Sequence, residues 1–150
     1  MTRSLPLLLA LALSGCDLFG SAEADAAGDY RTTAFTVTTD GQTVDLLARG
    51  ASLDLSLDAD GDDGGTFEGR LVVPDVDGAG AVVEVFDGTY AVDRRGQVGR
   101  ATALDALVTF ETTDDVFVRD AVWGLRGDGL STTFPEHGQG EGLAVTLERE

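Results

Sequence analysis

The chain has 150 residues, with 27 Asp and Glu against 10 basic residues, and its formal net charge is −17. A body this acidic is repelled by nucleic-acid phosphates and by anionic lipid surfaces, which excludes both as direct partners. One Cys and one His also exclude an internal disulfide framework and an ordinary zinc centre, which needs three or four nitrogen or sulfur ligands. Every basic residue is Arg, and Lys, Asn and Ile are all absent, which a high-GC genome explains more economically than salt adaptation.

In chain order, the first element is a targeting segment. Arg3 supplies a positive start, "LPLLLALAL" from Leu5 to Leu13 an apolar stretch, and Ser14 and Gly15 a small-residue end. The stretch is a secretory signal, too short to span a bilayer, which takes roughly 20 apolar residues. Leu13-Ser14-Gly15 running directly into Cys16 resembles the lipobox of bacterial lipoproteins. That resemblance implies cleavage after residue 15, lipidation of Cys16, and a membrane as partner through this anchor. The expected location is the bacterial cell envelope, the outer membrane ahead of the inner one. Residues 16–27 form a small, acidic linker that reaches at most roughly 35 Å at about 3.3 Å per residue.

Residues 28–150 read as one all-β domain. A Thr-rich strand spans Tyr30 to Thr38, and "VDLLARG" (Val44 to Gly50) follows as a helical turn closed by its glycine. Period-two alternation then marks "SLDLSLD" (Leu53, Leu55, Leu57 on one face), "TFEGRLVV" (Phe67, Leu71, Val73) and "VVEVF" (Val83, Val85). It continues in "TYAV" (Tyr90, Val92), "LVTFE" (Val108, Phe110), "AVWGL" (Ala121, Trp123, Leu125) and "LAVTLE" (Leu143, Val145, Leu147), with "TTDDVFVRD" as a second helical turn. Gly- and Asp-rich turn signals separate the runs, as in "TDGQ", "DADGDDGG" and "RGDG". About eight short antiparallel strands fit either a small barrel or a β-sandwich.

Gly28-Asp29-Tyr30 at the first strand and Arg149 after the last resemble the Gly-x-Trp signature and the closing arginine of the lipocalins, with Tyr30 in the tryptophan's place. "FDGTYAV" and "DVFVRDAVW" are similar to mid-barrel strands of such domains. The resemblance implies an up-and-down lipocalin-like barrel with Tyr30 and Arg149 as its closing pair, worth about 0.5–2 kcal/mol as a cation over an aromatic face. It also implies a small apolar ligand. The candidate pocket is Trp123, Tyr90, Phe67 and Phe110, with Arg119 and Arg126 flanking the tryptophan to orient a carboxylate. The expected interior is Phe35, Leu55, Phe67, Val83, Tyr90, Phe110, Trp123 and Val145, a set that either lines a cavity or fills the barrel. The second reading is therefore a structural or protein-interaction lipoprotein with a filled core.

Other chemistry is thin. Asp58, Asp60 and Asp62 have the spacing that opens an EF-hand loop, but position six is Asp63 instead of glycine and position twelve is Gly69, so a solvated hairpin turn with no metal is expected, the three carboxylates being only a weak Ca²⁺ candidate. His137 sits in a Gly-rich loop, and no nucleophile elbow or phosphate-binding glycine motif accompanies it. The expectation is a protein with no cofactor and no catalytic set.

Overall fold

Alternating segments build nine strands: β1 (Gly28–Thr39), β2 (Gln42–Asp45), β3 (Ser52–Ala59), β4 (Gly64–Val73), β5 (Val82–Asp93), β6 (Ala106–Glu111), β7 (Val122–Arg126), β8 (Gly129–Phe134) and β9 (Gly142–Arg149). The computed structural model describes residues 26–61, 63–75, 80–94, 106–134 and 142–150. Cys16 with its signal segment, Asp62 and His137 lie outside the described residues.

The strands run antiparallel in the order β1-β3-β4-β5-β6-β7-β8-β9, and β9 pairs back onto β1 from Tyr30↔Arg149 to Thr38↔Gly142. That last pairing closes an eight-stranded up-and-down barrel and removes the sandwich alternative, because a sandwich leaves two sheets with edges. The ninth strand, β2, folds back on the upper half of β1 through a tight turn in which Asp40 and Gly41 both have positive φ, 52° and 75°. An Asp-Gly pair suits that turn because its backbone twist matches the strands and glycine adopts positive φ without steric cost. β1 and β3 pair only over Gly28–Tyr30, and above that point the Thr32 hydroxyl bridges the gap, bonding both the N–H and the C=O of Leu53 at 2.6 Å.

Inward faces follow the period of two. Leu53, Leu55 and Leu57 on β3, Phe67 and Leu71 on β4, Val108 and Phe110 on β6, Trp123 and Leu125 on β7, and Val145 and Leu147 on β9 are all buried. Both helical turns form as short 3₁₀ segments, Leu47–Arg49, closed by the Gly50 N–H on the Leu47 carbonyl, and Phe117–Asp120.

Three expectations need correction. "VVEVF" and "TYAV" are one twelve-residue strand, β5, and its phase is opposite to that read from the valines. Phe86, Tyr90 and Val92 face inward, while Val83 and Val85 are 53% and 77% exposed. The aromatics set the phase because they remove more apolar surface from water than valines do. β8, "GLSTTF", is a strand that polar Ser and Thr concealed, although Leu130 is fully buried. β2 likewise takes Val44, which the helical reading had claimed.

Candidate functional site: the barrel interior and its two ends

Four of the six candidate pocket residues come together inside the barrel. Phe67 and Phe110 meet edge to face with centroids 4.8 Å apart, Phe110 meets Trp123 at 6.0 Å and 88°, and Tyr90 lies 6.4 Å from Phe110. The chain of rings extends both ways, to Phe86 at 6.0 Å from Phe67, and through Phe117 at 6.4 Å from Trp123 to Phe35 at 6.2 Å. These are contact separations for aromatic pairs. No ligand enters between such rings unless they move apart.

Two glycines make room for two of the rings. In the β4–β5 register Phe67 stands opposite Gly88 and Gly69 opposite Phe86. A Cβ at Gly69 would run into the Phe86 ring, and one at Gly88 would meet the Glu111 backbone oxygen and come within 2.9 Å of the Phe67 ring. Each aromatic thus lies over the bare backbone of the facing strand, an arrangement that also pins the strand register.

Tyr30 and Arg149 meet at the lower end of the barrel. The Arg149 guanidinium lies 5.5 Å from the Tyr30 ring centroid, and its Nη2 donates to the tyrosine hydroxyl at 3.1 Å. That hydroxyl in turn donates to the Ala26 carbonyl at 2.9 Å. The arginine crosses directly over Gly28, whose φ is +141° and where a Cβ would stand 3.0 Å from Arg149 Cδ. Both features call for glycine at that position. At the upper end Val116, just before the second 3₁₀ turn, and Val118 within it are buried. The Trp123 indole N–H donates to the Val118 carbonyl at 3.4 Å and ties this turn to β7.

Arg119 and Arg126 do not join the rings. Arg126 ends β7 on the outward phase and is exposed, because Trp123 and Leu125 take the inward one. Arg119 is turned outward and held there by Asp115 at 2.7 Å, the Asp114 carbonyl at 3.0 Å and Asp120 at 3.6 Å. Asp58 and Asp60 belong to the β3–β4 hairpin, where the Asp60 N–H donates to the Gly64 carbonyl at 2.9 Å. Among the described residues no cluster of three metal-ligating side chains occurs.

Phe86, Phe117 and the glycines Gly69 and Gly88 are interior determinants that sequence reading missed. The signal for Phe86 was its spacing to Tyr90, which places the two on one face of a strand. An open cleft of about 440 Å³ lies on the outer face, lined by outward residues that include Arg31, Asp54, Glu68, Arg70 and Val85. In comparisons with known proteins, no family model, no curated protein and no solved structure matches this chain.

Proposed function

We propose that this chain is a lipid-anchored protein of the bacterial cell envelope whose barrel is a filled scaffold, held to the membrane through Cys16 and offering its surface to other proteins. The observation that carries the reading is the continuous chain of ring contacts from Phe35 to Phe86, which puts side chains where an apolar ligand would sit. It supports the scaffold over a small-molecule carrier. Because β1 starts at the lower end, an anchor a short linker upstream holds that end toward the lipid and turns the upper end away from it.

Trp123, the sole tryptophan and 0% exposed, reports on the interior. Its emission should be that of a buried indole, and saturating fatty acids or other apolar ligands should leave it unchanged. A saturable shift or quench would overturn the filled scaffold in favour of a ligand carrier. Anchoring has its own expected outcome: in cells, Cys16→Ala moves the protein from the membrane fraction to the soluble fraction. Retention of that variant in membranes would refute the anchor.

A further inference from the structure

β5 is paired along most of its length on one side and along less than half of it on the other. β4 covers it from Val82 to Ala91, whereas β6 reaches only from Thr89 to Asp93. The chain leaves β5 just after Glu111, where the Thr112 hydroxyl bonds the Asp114 carboxylate and the Asp114 N–H, both at 3.2 Å, and starts a turn away from the sheet. A cleft of about 440 Å³ between Asp87–Thr89 and Glu111–Thr113 marks the fork. Among the described residues no strand lies against the Val82–Asp87 edge beyond it.

This edge is open in the sense that matters for pairing. The Val92 N–H donates toward the β4 side, to the Asp63 carbonyl at 2.8 Å. By strand alternation the amides of Val83, Val85 and Asp87 therefore point away from β4. The segment carries no Pro, no bulge and no register shift, and the one blunting device it has is charge, Glu84 and Asp87, which repels acidic strands and not cationic ones. β2, which among the described residues pairs only with β1, is just four residues long. Among the described residues, three of the four exposed large hydrophobics, Val82, Val83 and Val85, lie on this one stretch of an otherwise acidic surface. Isolated exposed valines are ordinary, but a run of them along an unpaired strand marks a contact surface.

We propose that the Val82–Asp87 edge is a strand-addition site for an extended cationic segment of a partner protein, in which apolar and basic residues alternate. The proposal rests on the scaffold reading and names the surface that the scaffold offers. Charge selects the occupant. Exposed Glu84 and Asp87 lie on the strand, with Glu111 beside the fork. Arg70 stands opposite Val85 on β4, outnumbered on this surface by the carboxylates, and Arg119 is already engaged by Asp115 and Asp120. A body of net charge −17 draws a cationic strand toward it and repels its own copies. A partner strand places apolar residues against Val83 and Val85 on one face and a basic residue against Glu84 on the other, while backbone bonds along about 20 Å hold it in register and Asp87 adds to the field that draws a cationic strand.

The test uses the full chain and a synthetic heptapeptide of alternating Lys and Val, with a fully N-methylated heptapeptide of the same sequence as control. The control keeps charge and side chains but cannot form a ladder. Saturating peptide should slow amide exchange at Val83, Val85 and Asp87 at least tenfold, and N-methylation should weaken Kd at least tenfold. Val85→Pro removes an outward amide without touching the β4 ladder, so it should weaken Kd similarly while thermal unfolding stays cooperative.

Equal binding of both peptides would overturn the proposal, since charge alone would then explain it. So would protection at β2 instead of β5, or protection at β5 that grows with protein concentration in the absence of peptide, which would make a second copy the occupant. The two readings fail separately. An inert Trp123 with no protection at β5 removes the edge and keeps the scaffold. A ligand-responsive Trp123 with protection at β5 removes the filled scaffold and keeps the edge.

Discussion

Trp123→Ala should lower the stability of the domain by about 3–5 kcal/mol, the cost of truncating a large aromatic residue in a core that cannot collapse onto the space. The side chain is fully buried, touches Phe110 and Phe117, and donates its N–H to Val118. Its removal leaves a void where the ring chain passes from the barrel wall to the second 3₁₀ turn. The Val118 carbonyl also loses its donor, which adds to the cost when such a group is buried. At about 4 °C per kcal/mol for a domain of this size, thermal unfolding should fall by roughly 10–20 °C. Val122→Ala, one residue away but 57% exposed, should change stability by no more than about 0.5 kcal/mol. Comparable losses at the two positions, read by thermal or urea unfolding, would show that the rings do not form the core.

Gly88→Val should cost about 3 kcal/mol or more, at the upper end of what overpacking does, because the added carbon meets the backbone oxygen of Glu111. Backbone cannot rotate aside as a side chain does. Gly69→Ala behaves differently, since the atoms in its way belong to Phe86 and Leu55 side chains. A double-mutant comparison separates the two cases: Phe86→Leu should relieve much of the Gly69→Ala loss, whereas Phe67→Leu should leave most of the Gly88→Val loss in place. Relief of Gly88→Val by Phe67→Leu would mean that the ring, and not the strand β6 backbone, sets the limit at the fork.

The two substitutions show which parts of this fold are local and which are not. Alternation in "SLDLSLD" and "LAVTLE" was enough to place Leu53, Leu55, Leu57, Val145 and Leu147 inside, because one face of a strand must be buried and the period of two is intrinsic to the backbone. The same logic failed in "VVEVFDGTYAV". Two phases compete there, and the choice belongs to the facing strand, where Gly69 and Gly88 receive Phe86 and Phe67. The sequence count of eight barrel strands agrees with the structure, although it divides β5 in two and omits β8. "GLSTTF" has weak alternation of its own and becomes a strand by pairing with β7 and β9.

The arginines divide in the same way. Arg149 follows the last strand and Tyr30 sits in the first, so joining the two ends of the sequence decides their contact. Arg119 and Arg126 sit near Trp123 in sequence, yet period two and the Asp114–Asp120 turn point them outward. Proximity along the chain says little about a shared pocket when neighbours occupy opposite faces.

By itself the sequence determined the β class, most of the buried positions, both 3₁₀ turns and the chemistry available to the chain, because these depend on residue type and on periodicities of one strand at a time. Barrel closure, the phase of β5, the meeting of the aromatic rings and, among the described residues, the unpaired stretch of β5 beyond Glu111 were decided only by tertiary structure. Each depends on which strand lies beside which, and that choice is made by the packing of side chains far apart in the chain.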